Sequence, residues 1–328
     1  MIRLTPDEVR ERFGKFFYEE FLTVVDSAKN KIEVVEIFGY YPGSAEWTAV
    51  NRCRAGGIIE SCEIYGKTSI IRARIGEESV RFGSVDRERG GQALEGALIE
   101  GDTVRTKWAG IAGLSLSTSG SIPQAPGVIE TWYPSSSDLD VGGNKTSRAE
   151  IITPMYEKIS FGIDDTDNPE GGATFALILH ARNEAAKIDG VKPLLVRFAQ
   201  LFPKCPYKTT NCTSSFMSFA VRPAVREKLT GLIVDYVQSN TQSEDTGIAI
   251  LRGIGVPQAL NAFGWEAKKR MISLDEIDVF KNLDEIDIID AQSGKKGIIG
   301  ALAALGLSEE QYASALENDE GLKLIKRW

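Results

Sequence analysis

Short strand-like runs dominate the first part of the chain. A helix is expected to open it, because Thr5 can cap a helix and Pro6 suits the first helical position. Runs typical of β-strands then follow at Lys31–Phe38, Trp47–Arg54, Gly57–Ile64, Thr68–Ile75 and Ser79–Phe82. The pattern predicts a β-rich N-terminal domain over residues 1–133, of unknown role.

Two segments without a clear period follow. Residues 109–127 are almost all small or aliphatic, which suits a small-residue helix, a loop that approaches a substrate or a plain connection. Residues 134–150 are polar, rich in serine and contain a glycine pair. The second segment predicts a linker between two domains.

Beyond the linker, strand-like and helix-like segments alternate. Strands are expected at Lys158–Ile163, Pro193–Leu201 and Phe216–Val221, and helices at Ala173–Lys187 and Arg222–Gln238. This alternation favours a mixed α/β domain over residues 151–328. The expected fold class is therefore α/β and α+β in two domains.

The composition of the 328 residues narrows the function classes. There are 38 Lys and Arg against 46 Asp and Glu, so the net charge is −8 and only a local basic groove could hold a nucleic acid. No apolar run approaches the roughly 20 residues that span a bilayer. The charged N-terminus lacks the apolar core of a signal peptide. We expect a cytoplasmic protein that has no membrane partner.

Metal-binding side chains other than carboxylates are few. The four cysteines include no CxxC pair and are expected to be free thiols in a reducing compartment. His180 is the single histidine, and we interpret it as a helix-surface or interior residue rather than a catalytic base. A bound metal would therefore be held by oxygen ligands, which favours magnesium, calcium or manganese.

The strongest chemical signal is the segment FGIDDTDNPEGGAT, which begins at residue 161. It places Asp164, Asp165 and Asp167 between an apolar strand and a glycine-rich turn into a helix. Three close carboxylates repel one another unless a cation lies among them, and magnesium on nucleotide phosphates is the simplest candidate. Backbone amides near Gly171 and Gly172 could then approach a phosphate. The alternative is a solvated acidic turn that only caps the helix.

Two further segments combine lysine with small or hydroxyl residues. In the first, Lys208, Thr209, Thr210 and Asn211 could bind phosphate or form an ordinary loop. Cys205 and Cys212 flank it, either as inert buried residues or as a reactive thiol or thiolate ligand. The second runs from Gly294 to Gly297 before a small-residue helix, and it suits an anion or a plain turn.

Three strings in this order resemble a known enzyme family. GIDDTDNPEGGAT, PYKTTN and GKKGIIGALAALG resemble the ATP-dependent kinase-like domain of the archaeal tRNA-isoleucine agmatinylcytidine synthetase. The resemblance spans roughly residues 156–310 and implies ATP and Mg²⁺ as cofactors. It implies metal ligands at Asp164, Asp165 and Asp167. We expect catalytic roles for Asp165 and Lys208. The expected cofactor-binding residues are Thr166, Gly171, Gly172, Thr174, Thr209, Thr210, Asn211, Gly294 and Gly297.

A second resemblance covers most of the chain. TKWAGIAG, AQLFPKCPYKTTNCTSSFMSFAV and IGALAAL are similar to segments of the archaeal methanogenesis marker protein 11 family. This resemblance implies a role in methanogenesis, in maturing or modifying methyl-coenzyme M reductase or its cofactor, with the reductase or its assembly proteins as partners. The chain lacks the paired cysteines of the synthetase's zinc ribbon, and only a short tail ending at Lys323–Trp328 follows the third motif, so an acceptor other than tRNA is favoured.

The expected function is therefore a Mg-ATP-dependent enzyme that activates or phosphorylates an unknown small-molecule or macromolecular acceptor. Two alternatives remain open. One is a non-catalytic assembly factor that only binds nucleotide. The other is an ATP-dependent tRNA-modifying enzyme with an RNA-binding N-terminal domain.

Overall fold

The chain forms two compact units, Met1–Tyr156 (unit 1) and Glu157–Trp328 (unit 2). The computed structural model describes residues 1–15, 18–39, 42–112, 117–140, 142–311 and 313–314. Both units combine helices with strands, which confirms the expected mixed α/β class. No helix in these ranges is long and apolar enough to cross a membrane.

Unit 1 is mostly β-structure. Its helices are α1 (Pro6–Phe13), α2 (Pro42–Ala55), α3 (Ser84–Arg89) and α4 (Thr118–Ser121). Its strands are β1 (Ile2–Leu4), β2 (Tyr18–Asp26), β3 (Lys31–Phe38), β4 (Ile59–Tyr65), β5 (Thr68–Arg74), β6 (Gly76–Glu77), β7 (Gly91–Glu100), β8 (Thr103–Ile111), β9 (Glu130–Tyr133) and the first part of β10 (Thr146–Asp164). Turns of 3₁₀-helix cover Ile122–Gln124 and Ser136–Leu139.

Antiparallel pairing organises most of these strands. The order β4-β5-β3-β2 forms one sheet, β8 lies between β7 and β10, and β9 lies between β1 and β10. Phe21, Ile32, Val34 and Trp108 are almost fully buried between them. As predicted, Thr5 caps α1, because its hydroxyl accepts from the Glu8 amide at 3.4 Å. The β-rich character of this part of the chain is thus observed.

Several predictions in this unit are wrong. Trp47–Arg54 lies inside α2, where Ala45, Ala49 and Arg52 recur at helical spacing and are buried. Ser79–Phe82 forms no strand, and the Val80 amide instead donates to Glu95 Oε1 at 2.8 Å. Of the small-residue stretch over 109–127, residues 113–116 lie outside the described residues, and parts of the rest belong to β8 and α4.

The predicted linker over residues 134–150 also needs correction. Ser136–Leu139 is a 3₁₀ turn, and residues 146–150 form ladder pairs with β8 as part of β10. The chain divides instead after Tyr156, because residues 155–156 still pair with β2 whereas residues 157–164 pair with strands of unit 2. A hydrogen-bonded strand therefore occupies part of the segment whose composition suggested a flexible connection.

Two cysteines of unit 1 are paired. Cys53 of α2 and Cys62 of β4 form a disulfide, which differs from the expected free thiols. The two residues are nine positions apart, and the spacing alone carries no pairing signal because helix α2 was not anticipated from the sequence. Cys205 and Cys212 are free, as expected.

The described part of unit 2 forms a five-stranded antiparallel sheet that has helices on both faces. The strands are the second part of β10, β11 (Val191–Gln200), β12 (Thr213–Val221), β13 (Gly247–Arg252) and β14 (Ile286–Asp290), in the order β11-β12-β10-β13-β14. The helices are α5 (Thr174–Ala185), α6 (Arg226–Asn240), α7 (Gln258–Lys269) and α8 (Lys296–Gly306). Turns of 3₁₀-helix cover Pro223–Val225 and Leu274–Phe280.

Strand alternation divides the core of unit 2 into two layers. Phe161 and Ile163 pack with α5 and α6, whereas Phe216 and Leu251 pack with α7 and α8. Gly162 faces the second layer, where a Cβ would overlap the Ala301 carbonyl of α8. This glycine therefore permits the close approach of α8 to the centre of the sheet.

The predicted elements of the second half agree with this architecture. The strands expected at Lys158–Ile163, Pro193–Leu201 and Phe216–Val221 correspond to β10, β11 and β12. The two expected helices correspond to α5 and α6, and Pro223 opens a 3₁₀ turn before α6. The C-terminal tail at Lys323–Trp328 lies outside the described residues.

Candidate functional site

A cavity of about 1010 Å³ lies in unit 2, where β10 ends and β12 begins. Its walls come from the turn between β10 and α5, from the loop 202–212 between β11 and β12, and from the first turns of α8. Antiparallel pairing brings these segments to one end of the sheet. The turn between β10 and α5 (the acidic turn) and the loop 202–212 (the threonine-rich loop) supply most of its polar lining.

Asp164 is the last residue of β10 and lines the cavity. Burial raises the pKa of its carboxyl well above the usual range, and the charges of Asp165 and Asp167 raise it further. The Asp165 amide and the Ser214 hydroxyl donate to the carboxyl and oppose this increase. The position therefore disfavours a negative charge unless a cation is added.

Asp165 lies in the left-handed region of backbone conformation, at a φ of 57°. Its Oδ1 accepts from the Ser243 hydroxyl at 3.0 Å, and its carbonyl accepts from the Thr246 hydroxyl at 2.7 Å. Burial raises the pKa of this carboxyl too, and the charges of Asp245 and Asp167 add to the increase. The residue is held by contacts to both its backbone and its side chain.

Asp167 connects two walls of the cavity. Its Oδ1 accepts from the Thr174 hydroxyl at 3.2 Å, and its Oδ2 accepts from the Thr209 hydroxyl at 2.8 Å. Thr174 opens α5, whereas Thr209 lies in the loop 202–212. The acidic turn and the threonine-rich loop are therefore in direct contact.

The predicted site residues divide into two groups. Those that line the cavity are Asp164, Asp165, Asp167, Gly172, Thr174, Lys208, Thr209, Thr210 and Asn211. Those that do not are Thr166, Gly171, Gly294 and Gly297. The second group has structural contacts instead, so the structure does not bring these four residues to the cavity.

Their packing explains this placement. Thr166 is buried, and its hydroxyl donates to that of Thr174 at 3.0 Å. The Gly171 amide donates to the Asn168 carbonyl at 3.1 Å in a tight turn. The Gly294 and Gly297 amides donate to the carbonyls of Glu244 and Asp245, at 2.6 and 2.9 Å. The C-terminal glycine turn therefore fixes the start of α8 rather than lining the cavity.

Two lysines reach the cavity. Lys208 is exposed, and its Nζ donates to the Pro203 carbonyl at 2.5 Å. Lys296, at the start of α8, donates to Asp245 Oδ2 at 2.8 Å and lies 4.8 Å from the centre of the Tyr207 ring. The hydrogen bond with Asp245 raises the pKa of Lys296, which keeps this side chain cationic at the cavity wall.

Sequence reasoning missed several lining residues. Gly300 of α8 lies against Asp164, where a Cβ would overlap the carboxyl oxygen Oδ2. Farther along the cavity, the ring centres of Phe175 and Phe198 lie 5.2 Å apart in an edge-to-face arrangement. Met271 and Leu274 are partly exposed there. Both Lys296 and Gly300 lie in the motif GKKGIIGALAALG, but the sequence pattern does not distinguish them from Gly294 and Gly297.

Cys205 and Cys212 also line the cavity. Burial raises the pKa of the Cys212 thiol to about 12, and the charges of Cys205 and Asp164 add to the increase. Cys212 has a φ of 50°, in the left-handed region.

The three aspartates do not form a ready-made metal cage. Within the described ranges, no three His, Cys, Asp or Glu side chains converge as a metal-binding group. Magnesium uses one or two carboxylates together with phosphate and water oxygens, so the buried, repelling carboxyls fit that ion without such a cage. The expectation that Asp164, Asp165 and Asp167 all act as metal ligands stays a prediction.

Comparison with known proteins gives both a long and a short match. The chain is 32% identical to the uncharacterized protein MJ0921 of Methanocaldococcus jannaschii over 308 residues, 94% of this chain and 99% of that protein. It is 31% identical over 154 residues to the tRNA(Ile2) 2-agmatinylcytidine synthetase TiaS of Thermococcus sibiricus. That stretch covers 45% of this chain and 35% of the synthetase. No protein-family model matches the chain.

Solved structures of TiaS match a similar fraction of this chain. The TiaS–tRNA(Ile2)–ATP complex matches at 25% identity and a TM-score of 0.40, over 46% of this chain and 36% of that chain. The TiaS–tRNA(Ile2)–AMPCPP–agmatine complex matches at 23% identity and a TM-score of 0.39, again over 46% and 36%. The chain thus spans about a third of the synthetase it matches.

The 31% identity to TiaS of Thermococcus sibiricus confirms the resemblance to the synthetase in part, as a TiaS-like domain. The resemblance to methanogenesis marker protein 11 stays a prediction. Because the first match extends over nearly the whole of both chains, the protein belongs to the family of MJ0921 from Methanocaldococcus jannaschii.

Proposed function

We propose that unit 2 binds a nucleoside triphosphate, with ATP as the first candidate, together with a divalent cation, and uses it to activate an acceptor. One observation carries this proposal. Three carboxyls meet at one cavity, and burial and mutual repulsion raise the pKa of both Asp164 and Asp165. A cation coordinated by phosphate oxygens would relieve that repulsion.

The surrounding groups suit a triphosphate. The first amides of α5 have no side-chain cap, and Gly172, at a φ of 92°, brings the backbone to the cavity wall just before them. Amides at a helix N-terminus bind anions well. Lys296 and Lys208 can contact phosphate oxygens from the other walls. We assign Asp164 and Asp167 as metal ligands and Lys208 as the cation beside the transferred phosphate.

Magnesium would supply neutralisation of the charge on the transferred group. The chain itself positions the reactants. Thr174 and Thr209 orient the two oxygens of Asp167, while Ser243 holds Asp165. Asp165 is the proposed base that takes the acceptor proton, and its raised pKa favours that role.

RNA is the second acceptor class. The 31% identity to TiaS supports it, because that relative is named as a synthetase acting on tRNA(Ile2). The net charge of −8 argues for a local contact rather than a general attraction to RNA. A link to methanogenesis and to methyl-coenzyme M reductase rests on motif resemblance, and a nucleotide-binding assembly factor remains the non-catalytic alternative.

Calorimetric titration tests nucleotide binding. We expect ATP to bind in the presence of magnesium and the binding to disappear with EDTA. Asp167→Asn keeps the size and the Thr209 contact but removes a charge, so affinity should fall at least about tenfold, which corresponds to roughly 1.4 kcal/mol. Asp189→Asn, an exposed position after α5, is the matched control and should change nothing. Equal affinity for ATP with magnesium and with EDTA would refute the cation-bridged site.

Product analysis tests the reaction. Phosphoryl transfer releases ADP, whereas adenylyl transfer releases pyrophosphate and then AMP. Purified protein is incubated with MgATP and with small-molecule or RNA extracts of an archaeon that carries a close homologue. AMP formed only with RNA favours the tRNA-modifying alternative. Tight ATP binding without turnover in any fraction would instead indicate the assembly factor.

A further inference from the structure

Unit 1 has a cavity of its own, with a volume of about 770 Å³. Its walls come from α2, from the segment 87–92 where α3 passes into β7, from β2 and β3, and from residues around α4. Every lining residue lies between Tyr18 and Asn144, within unit 1. Cavities of this size hold small-molecule ligands. The cavity shares no residue with the nucleotide site proposed in unit 2, so it is a second candidate site.

Aromatic rings form one part of the lining. The ring centres of Tyr18 and Phe38 lie 4.9 Å apart, and Phe38 is almost fully buried. Trp47 of α2 also lines the cavity, although it is 67% exposed. An exposed indole at a cavity offers a flat apolar face that a planar ring can cover. The lining therefore favours an aromatic ligand.

Cations form a second part of the lining. Arg87 and Arg89 are exposed, and within the described ranges neither side chain has a hydrogen bond or an ion pair. Glu88 is the one carboxylate among the lining residues. The local charge is thus positive, whereas the whole chain has a net charge of −8. This contrast favours an anionic group on the ligand.

Two uncharged donors add to this preference. Thr48 of α2 is more than nine-tenths buried at the cavity, and its hydroxyl has no partner among the residues that the structure describes. The Oε1 of Gln92 accepts from Arg52 Nε at 3.4 Å, which leaves the Gln92 NH₂ group free to donate. A buried polar group without a partner costs free energy, and an acceptor on a ligand would remove that cost.

Contacts of Arg54 hold the aromatic and basic walls together. Its guanidinium donates to Asn51 Oδ1 at 2.7 Å and to the Gly90 carbonyl, and it lies 4.0 Å from Asp86 of α3. The Asn51 NH₂ group donates in turn to the Trp47 carbonyl at 2.7 Å. The two walls are therefore fixed relative to one another before a ligand binds, which lowers the cost of binding.

We propose that this cavity binds a small molecule in which a planar aromatic ring carries a phosphate or a carboxylate. The ring packs on Trp47, and the anionic group pairs with Arg87 and Arg89, because guanidinium groups bind both anions well. The Thr48 hydroxyl and the Gln92 NH₂ group donate to the ligand. This site goes beyond the proposed nucleotide site and does not depend on it.

The lining is less suited to RNA. A nucleic-acid strand is held by a series of cations along its backbone. This cavity offers two arginines and one carboxylate, which match a single anionic group.

Calorimetric titration of the full chain with 1-naphthyl phosphate and with 1-naphthoate tests the proposal and distinguishes the two anions. We expect one of these probes to bind. 1-Naphthol, which lacks the anion, and inorganic phosphate, which lacks the ring, should bind at least about tenfold more weakly. Saturating MgATP should leave the affinity for the probe unchanged, because the two sites share no residue.

Variants place the probe in this cavity. Trp47→Ala should weaken its binding at least about tenfold, whereas Trp47→Phe keeps an aromatic face and should restore most of the affinity. Replacing Arg87 and Arg89 together by glutamine should also weaken binding about tenfold and reduce its salt dependence. Val50→Ala and Arg81→Gln are the matched controls, since both residues are exposed in unit 1 and neither lines the cavity.

Several outcomes would overturn the proposal. The ligand class is wrong if neither anionic probe binds or if 1-naphthol binds equally well. Unchanged affinity in both the Trp47→Ala and the double arginine variants, or displacement by MgATP, would place the probe outside this cavity. A short single-stranded RNA that binds more tightly than either probe, and loses affinity in the double arginine variant, would assign the cavity to RNA instead.

Discussion

The environment of Asp164 sets a conflict between stability and ligand binding. Burial and two neighbouring carboxyls favour its neutral form, so its pKa is raised in the folded chain. A carboxyl whose pKa is raised on folding adds stability at low pH, and that stability is lost as pH rises through the folded-state pKa. Asp164 must be negatively charged to bind a metal ion. When no metal ion is bound, this charge lowers the free energy of unfolding.

Asp164→Asn should therefore make the ligand-free protein more stable at pH 8 than the wild type and flatten the fall in stability between pH 4 and 8. Urea unfolding at several pH values, without divalent cations, measures this difference. Asp189→Asn, which is exposed, should keep the wild-type profile. A steeper fall in the Asp164→Asn variant would contradict this account. The same variant should lose MgATP binding.

At the scale of elements, α8 lies close to the sheet because glycines occupy its contact positions. Gly297 packs against the ends of β10 and β13, and Gly300 packs against Asp164. Side chains larger than hydrogen at these positions would overlap backbone or carboxyl atoms. The small-residue pattern of the third motif therefore reflects packing as well as the site.

Gly300→Ala should consequently destabilise the protein and weaken MgATP binding, because its methyl group displaces the Asp164 carboxyl. Gly231→Ala is the matched control, since Gly231 lies in α6 and nothing stands within 4 Å of the position that a Cβ would take there. Alanine at residue 231 should raise stability by up to about 1 kcal/mol through helix propensity. Equal unfolding midpoints for the two variants would show that α8 can shift to accommodate the methyl group.

The elements of unit 2 from β10 to α6 were predictable because their pattern is strong, whereas β13, α7 and β14 were not predicted. Phe161 and Ile163 alternate with smaller residues, and α5 and α6 carry long apolar faces. In unit 1 the prediction was weaker. The stretch around Trp47 resembles a strand by composition, and only the burial of Ala45, Ala49 and Arg52 in three dimensions shows that it is a helix.

The acidic part of the candidate site was predictable because its carboxylate residues are close together in the sequence. The close spacing of Asp164, Asp165 and Asp167 indicated an acidic centre, and the structure places all three at one cavity. The roles of Gly297 and Gly300 could not be separated, because both are glycines in one helix and only the direction of each Cβ decides which faces the cavity. Long-range packing sets that direction.

At the scale of the whole molecule, the cavity belongs to one unit. Every residue that lines it lies between Asp164 and Ser314, within unit 2. Unit 2 also has its own two-layer core. Units with separate cores can often fold alone.

A fragment that spans residues 157–328 should therefore bind MgATP within about tenfold of the full chain. Calorimetry measures the affinity, and circular dichroism first verifies the fold of the fragment. The same fragment carrying Asp167→Asn provides the control. A folded fragment that binds no nucleotide would show that residues 1–156 contribute to the site.

The left-handed backbone of Asp165 restricts what evolution or a mutant library can place there. At a φ of 57°, glycine, asparagine and aspartate are the residues that fit without strain. Asparagine can still accept from Ser243 but carries no charge, and glycine loses the contact altogether. Selection for a folded chain should thus retain three residues at this position, whereas selection for catalysis should retain aspartate alone, so the two selections can be separated at a single codon.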